Sequence, residues 1–332
     1  MIVIFDTNIW VSQLGMQSNA AAAVKFFLNH NNAKFGLPEI IRLEVEKNLK
    51  DTLLAHVKSI VDSHRQLLTV FGELRQLVLP TESELSEKVN QLFEGFGVPR
   101  VDVPFSMESA RSAFLKNIDR VPPCDKTQEF KDAVLWADCV KLLQQDDVIL
   151  VSSDKAFYKD RNIQMGLALN LQQEIRGAAH SFKLMPDLAT LLPTLETAVA
   201  LDKDALSAAV LSAANNEVDR LSRQYAIGAE VLSVADYELF ATGDPKELYL
   251  QFALTYDCQD MLGLTMNPKY FIKGSASYFP SEKDFRGISL QELMLDFVDE
   301  HGTPLSTGVR YLSTSATSGH AYTIHQTRYP LK

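Results

Sequence analysis

The sequence predicts an α/β fold, a parallel sheet flanked by helices, followed by a smaller α+β domain. Two short runs of consecutive apolar residues, at 2–5 and 148–151, have the composition of strands buried on both faces. Stretches with helical periodicity alternate with strand-like runs through the first domain, which we place at residues 1–195. Such alternation is typical of a parallel sheet with helices on both faces.

The composition is that of an ordinary globular protein with an acidic balance. The chain has 332 residues, of which 46% are hydrophobic and 22% charged, and its formal net charge is −10. This charge argues against a general nucleic-acid binder. It does not exclude a nuclease, because acidic metal ligands contribute to it and a local basic rim suffices to hold a substrate.

Cysteine spacing and hydropathy indicate the cellular compartment of the protein. Cys124, Cys139 and Cys258 are too widely spaced for a disulfide framework or a zinc site, which favours a reducing cytoplasm. We expect no signal peptide, no transmembrane segment and no membrane partner.

The first strand is followed by a helix, a second strand and another helix. Residues 20–28 are rich in alanine and predict a helix, and residues 33–38 predict a strand that ends at Pro38. Pro38 can open the next helix, because its missing N–H costs nothing in the first turn. This helix carries Glu44, and its apolar period continues to about residue 74 as one long helix or two stacked ones.

A helical insertion is predicted at about residues 50–120. Thr81 and Glu84 have the spacing of a capping box, which marks the start of a helix. Residues 95–104 break that helix, and Ser106 can cap the next one.

The second apolar strand lies between two further helices. An amphipathic helix with Asp132 in its first turn precedes the strand at 148–151, which leads into Asp154. Residues 182–185 predict a third strand, and a short helix follows at 187–192.

The composition and the predicted elements of the chain change after about residue 195. Residues 196–225 are rich in alanine and predict a helical connector, and residues 226–332 predict a small α+β accessory domain. Within this domain we expect strands over 230–240 and 247–256 and near Val309 and Thr323, and one helix over 290–298.

Four acids stand at the ends of strands or the starts of helices: Asp6, Glu44, Asp132 and Asp154. If the two apolar strands are neighbours in one parallel sheet, all four carboxylates can meet at its carboxyl edge, where ligands bind in open α/β sheets. Clustered carboxylates repel one another, so such a group persists most easily around a divalent cation. Oxygen ligands alone suit Mg²⁺ or Mn²⁺. The simpler interpretation is turn and cap chemistry at each position.

The order of these motifs resembles that of PIN-domain ribonucleases. Asp6-Thr7-Asn8 after an apolar strand is similar to the opening motif of the family, and residues 37–45 are similar to the second. Residues 130–133 and 151–157 resemble the third and fourth motifs. The helical insertion resembles that of the larger PIN-like proteins, and the resemblance covers roughly residues 1–195.

The resemblance implies the role of the four acids, and positions close to these acids in the sequence predict the roles of the other candidates. Asp6, Glu44, Asp132 and Asp154 would be the catalytic acids and the ligands of one or two Mg²⁺ or Mn²⁺ ions. Asn8, Ser153 and Asp125 would orient these ligands or a metal-bound water. Arg120, Lys126, Lys131 and Lys155 would hold phosphates, unless they are ordinary surface residues. Glu39 and Glu46 lie on the same helix as Glu44 and compete with it for the ligand position.

These assignments predict a metal-dependent endoribonuclease that acts on single-stranded or loop RNA, because side chains reach unstacked bases most readily. Such an enzyme could serve as a toxin, a defence effector or an RNA-processing enzyme. We expect residues 226–332 to govern substrate choice, to form a homo-oligomer or to bind an inhibitory protein partner.

Two other functions stay open. The first is a non-catalytic PIN module that binds RNA or protein. The second is a haloacid-dehalogenase-type phosphatase, which also opens with a strand ending in Asp. That family needs an Asp and a Thr where this chain has Asn8 and Trp10. Dinucleotide binding is not supported, because no glycine-rich turn follows the first strand.

Overall fold

A computed structural model describes residues 1–126, 129–263, 266–298, 303–310 and 323–330 of the chain. The chain divides into two compact units, Met1–Glu196 and Thr197–Lys332. Among the described residues, every helix is either too short or too polar to span a lipid bilayer.

The sheet of the first unit is parallel and has the strand order β3-β2-β1-β4-β5. Its strands are β1 (Ile2–Phe5), β2 (Lys34–Pro38), β3 (Arg100–Val103), β4 (Val148–Val151) and β5 (Phe182–Met185). Every residue of β1 and β4 is buried, and the register runs from Ile2 opposite Val148 to Phe5 opposite Val151. The two central strands therefore end side by side, which confirms the predicted α/β fold.

Helices flank this sheet. They are α1 (Thr7–Ser12), α2 (Asn19–His30), α3 (Glu39–Phe71), α4 (Glu82–Glu94), α5 (Met107–Asp119), α6 (Phe130–Leu142), α7 (Leu169–Glu174) and α8 (Leu188–Leu195). Three 3-10 turns, Lys155–Phe157, Lys159–Arg161 and Ile163–Met165, follow β4. Thr81 and Glu84 form the predicted capping box, and Ser106 caps α5 through the N–H of Ser109.

An aromatic cluster fixes α1 at the end of β1. Trp10 is fully buried, and its ring centroid lies 4.9 Å from that of Phe93 on α4. Phe35 of β2 and Phe96 complete the cluster, with ring centroids 4.5 Å apart. Aromatic pairs at such distances stabilise a core beyond their buried area alone. The aromatic cluster therefore fixes the position of α1, which carries the polar residues Thr7 and Asn8.

The structure differs from the sequence prediction at one point, the strand β3. At another point, it decides between one long helix and two stacked ones. The break predicted at 95–104 contains the edge strand β3, which sequence periodicity did not show because it is only 4 residues long and partly exposed. The helix α3 is continuous over 33 residues and ends at Gly72, whose φ is 76°. Glycine adopts a positive φ without steric cost.

The second unit consists of helix α9 (Lys203–Tyr225) and an antiparallel sheet with the order β10-β9-β8-β7-β6-β11. Its strands are β6 (Ile227–Ala241), β7 (Leu248–Asp260), β8 (Met266–Phe279), β9 (Asp284–Val298), β10 (Pro304–Arg310) and β11 (Thr323–Pro330). The helix contacts β6 and β9, and the Tyr270 hydroxyl of β8 donates a hydrogen bond to the Val218 carbonyl of α9. The predicted connector thus contains a helix that packs on this sheet.

The helix predicted over 290–298 is wrong, because these residues belong to β9. Leu293, Leu295 and Phe297 are buried at alternate positions, which is the period of a strand with one covered face. Apolar neighbours at 290 and 294 made a helical period equally compatible with the sequence. The strands expected near Val309 and Thr323 are present as β10 and β11, and residues 311–322 lie outside the described residues.

Candidate metal centre

Asp6 stands at the carboxyl end of β1 and is the N-cap of α1, with only 5% of its surface exposed. One carboxylate oxygen accepts a hydrogen bond from the backbone N–H of Thr7 at 2.7 Å. The other accepts from the Asn8 amide at 2.8 Å and from the Ser152 hydroxyl at 2.5 Å. Burial raises the pKa of Asp6 to about 6, although the bonds from Ser152 and Thr7 oppose the rise. These contacts fix the orientation of the carboxylate.

Asp154 follows the neighbouring strand β4. Its side chain accepts a hydrogen bond from the backbone N–H of Ala156 at 2.8 Å, and its own N–H donates to the Ser152 hydroxyl at 3.0 Å. Ser152, which is fully buried, therefore connects Asp6 with Asp154. The predicted supporting residue Ser153 has an exposed side chain, and its backbone N–H donates to the Asn8 side chain at 3.4 Å. The structure thus places Ser152, which the sequence analysis did not name, beside the acids.

Glu44 reaches the site from α3. The Thr7 hydroxyl donates a hydrogen bond to its carboxylate at 3.0 Å, and Lys131 forms an ion pair with it. The two competing acids of the same helix are engaged elsewhere. Glu46 pairs with Arg42 at 2.7 Å, and Glu39 accepts the backbone N–H of Phe105 at 2.9 Å.

Asp132 lies in the first turn of α6 and is partly buried. Burial raises its pKa to about 8, and repulsion from Asp154, Asp6, Glu129 and Glu44 adds to the rise. Asp6, Glu44 and Asp154 are therefore close enough to Asp132 for their charges to act on its carboxyl. Carboxylate oxygens of Glu129, Asp132 and Asp154 lie within 4.8 Å of one another.

Glu129 is the acid that the sequence analysis missed. It precedes α6 by one residue and stands three positions before Asp132, a spacing that brings side chains to one side of a helix. This spacing is the only signal in the sequence that could have identified it. The Arg161 guanidinium lies 3.5 Å from a carboxylate oxygen of Glu129 and 3.1 Å from one of Asp125, another of the predicted supporting residues. Asp125 is therefore connected to Glu129 through their shared partner Arg161.

The four predicted basic residues are distributed unevenly around this centre. Lys131 is paired with Glu44, and Lys155 is exposed directly after Asp154. Lys126 is exposed in a cavity that also includes Arg161. Arg120 is exposed at the C-cap of α5, and among the described residues no hydrogen bond or ion pair connects it with the acids.

The donor set at this centre fits a divalent cation. Every candidate ligand is a carboxylate, and hard divalent cations prefer oxygen ligands. The raised pKa values of Asp6 and Asp132 show that the acids are buried near like charges. A cation removes this penalty, because it favours the ionised form of each carboxylate that contacts it.

The parallel sheet and the carboxylate cluster at its carboxyl edge define an α/β protein whose acidic site is compatible with metal binding. Residues 3–157, which are 155 of the 332 residues, match the family model of the PIN domain. This match confirms the resemblance seen in the sequence, and the matched residues include all four predicted acids. No match was found among curated proteins or among solved structures.

Proposed function

We propose that this protein is a metal-dependent endoribonuclease that hydrolyses phosphodiester bonds in single-stranded or loop RNA. The observation that supports this function best is the convergence of Asp6, Glu44, Asp132 and Asp154 at the carboxyl edge of a PIN-domain sheet. In this proposal the four acids hold one or two Mg²⁺ or Mn²⁺ ions. When bound, such ions supply electrostatic stabilisation of the phosphoryl oxygens and lower the pKa of a bound water.

The surrounding residues position the acids. Asn8 and Ser152 both donate hydrogen bonds to one Asp6 oxygen and the Thr7 N–H donates to the other, so the carboxylate is held in one orientation. Thr7 does the same for Glu44. With a pKa of about 8, the Asp132 carboxyl keeps its proton near neutral pH in the metal-free protein, and a bound cation would favour its ionised form.

The exposure and charge of this edge support the proposed substrate class. Asp132 and Asp154 are partly exposed, so a single RNA strand can approach them, whereas the narrow major groove of A-form RNA keeps side chains away from base edges. Lys155, one residue after Asp154, and Lys126 are exposed and can meet backbone phosphates. We propose these two lysines as phosphate contacts.

A nuclease assay with a matched pair of variants tests the proposal. The full-length protein is incubated with a fluorescent single-stranded RNA in EDTA, in Mg²⁺ and in Mn²⁺. We expect cleavage only with a divalent ion, and we expect Glu44→Gln to lose it. Glu46→Gln, which changes an acid on the same helix that pairs with Arg42, should retain it.

Three results would contradict the proposal. Undiminished cleavage in EDTA would exclude the metal requirement, and full activity of Glu44→Gln would remove that residue from the site. Binding of RNA without cleavage under any metal would favour the non-catalytic PIN module.

A further inference from the structure

A cavity of about 440 Å³ lies beside the candidate metal centre. Two segments form it, one around residues 122–126 and one over residues 156–170. Its charged and amide side chains are Asp125, Lys126, Lys159, Asp160, Arg161 and Asn170. Its volume is in the range of small-molecule and nucleotide sites, which is roughly 300–1,000 Å³.

The cavity shares structural elements with the metal centre. Ala156 lines it, and the backbone N–H of this residue holds the Asp154 carboxylate at 2.8 Å. Arg161 also lines it and reaches Glu129, whose carboxylate lies within 4.8 Å of those of Asp132 and Asp154. A polymer whose phosphate occupies the metal centre therefore has this cavity next to it.

The cavity is locally basic in an acidic protein. Its lining contains three cations, Lys126, Lys159 and Arg161, against two acids, Asp125 and Asp160, whereas the chain has a formal net charge of −10. The Arg161 guanidinium is already engaged by Asp125 at 3.1 Å. Within the described part of the chain, neither lysine forms an ion pair, so their ammonium groups carry the charge that an anion would meet.

The wall that carries Lys159 is held in place by its own backbone. Lys159 donates its N–H to the Gly166 carbonyl at 2.8 Å, and the next two residues, Asp160 and Arg161, have φ values of 52° and 54°. The Tyr158 hydroxyl donates to the Ser152 carbonyl at 2.8 Å. This wall is therefore hydrogen-bonded to the end of β4, which carries Asp154.

We propose that this cavity binds the nucleotide adjacent to the scissile bond of the RNA strand, with Lys126 and Lys159 on its phosphate. Leu169, which is 56% exposed on the cavity wall, offers an apolar surface for the base. Proteins that bind single-stranded nucleic acids combine cations along the backbone with side-chain contacts to the faces of the bases. The inference rests on the proposed RNA cleavage, but its test measures binding without cleavage.

The experiment measures the affinity of the full-length protein for a fluorescein-labelled oligouridylate by anisotropy, in EDTA and at several salt concentrations. The variants are Lys126→Gln and Lys159→Gln, with Lys183→Gln as the matched control. Lys183 is an exposed lysine of β5 in the same unit and outside the cavity. Each cavity variant should raise Kd about three- to tenfold at low salt and reduce the slope of log K against log salt by about 0.7.

The outcomes separate this inference from the proposed function. If both cavity variants bind as tightly as Lys183→Gln, or if the wild type does not bind the oligouridylate, the cavity is not the nucleotide site. If the affinities change as expected but the wild type does not cleave the same RNA with Mn²⁺, the cavity proposal stands and the nuclease proposal fails. Thermal melting of each variant verifies that its fold is intact.

Discussion

The Lys131 ammonium group donates a hydrogen bond to the Glu44 carboxylate, although the two residues are 87 positions apart in the chain. Lys131 directly precedes Asp132. One turn of α6 therefore supplies both a candidate ligand, Asp132, and the lysine that pairs with a second candidate ligand, Glu44. The Lys131 side chain is 56% exposed, and that of Glu44 is 19% exposed. A divalent cation that binds Glu44 must compete with this lysine.

We therefore expect Lys131→Gln to bind Mn²⁺ about two- to fivefold more tightly than the wild type, because a partly exposed ion pair contributes up to about 1 kcal/mol. Isothermal titration calorimetry measures the change, with Lys183→Gln as the control. Weaker Mn²⁺ binding by Lys131→Gln would show instead that the lysine holds Glu44 in its binding position.

Asp132→Asn should abolish cleavage and stabilise the metal-free protein. The asparagine carries no charge, so the cost of ionising a buried carboxyl among four other acids disappears. We expect a gain of about 1–3 kcal/mol in the free energy of unfolding at pH 8. Urea denaturation in EDTA measures this gain.

Asp6→Asn is the comparison variant for this prediction. Its amide nitrogen cannot accept the hydrogen bonds that Asn8 and Ser152 donate to the carboxylate, so its gain should be smaller. A loss of stability in Asp132→Asn would contradict the prediction and indicate a structural role for that acid.

The stability of the metal-free protein should fall as the pH rises from about 5 to about 8. The folded-state pKa values of Asp6 and Asp138 are raised from 3.8 to about 6, and that of Asp132 to about 8. In this window the folded protein binds more protons than the unfolded chain, so the free energy of unfolding decreases with pH.

Thermal melting in EDTA across this range measures the profile. The upper part of the decrease, from about pH 6 to 8, should be absent in Asp132→Asn and should be reversed by saturating Mn²⁺. Asp146, whose pKa is lowered by its hydrogen bond with the N-terminus, loses its contribution only at lower pH. A flat wild-type profile between pH 5 and 8 would contradict the raised pKa values.

Glu129→Gln should weaken Mn²⁺ binding roughly tenfold, which is the usual effect of removing a group that contacts or supports a metal site. The reason is the approach of its carboxylate to within 4.8 Å of those of Asp132 and Asp154. Calorimetry with Glu46→Gln as the matched control measures the effect. If Glu129→Gln binds Mn²⁺ as the wild type does, this acid serves only as a partner of Arg161.

The segment Met1–Glu196 should fold alone and retain metal-dependent cleavage of a generic single-stranded RNA. It forms one compact unit and contains all candidate ligands. We expect it to lose substrate selectivity or oligomeric state, since we propose these roles for the second unit. Circular dichroism and calorimetry with Mn²⁺ verify its fold. If the folded segment binds Mn²⁺ but cleaves only after the separate C-terminal unit is added, the second unit contributes to the active site.

The sequence by itself determined the central strands, the caps and the order of the four acids. Runs of apolar residues and cap spacings are local signals, and residues 2–5 and 148–151 are too apolar to be anything but buried. The neighbouring positions of Asp6 and Asp154 then follow from the parallel pairing of their strands.

Only the tertiary structure decided which neighbouring residues join the acids. Ser152 and Ser153 are equivalent in sequence terms, but successive residues of an extended chain point to opposite sides, so one is buried on Asp6 and the other is exposed. Glu129 stands just before α6, and only the fold shows that its carboxylate lies within 4.8 Å of those of Asp132 and Asp154. The sheet position of β9 depended on its long-range pairing with β8 and β10, since its apolar spacing suited helix and strand alike.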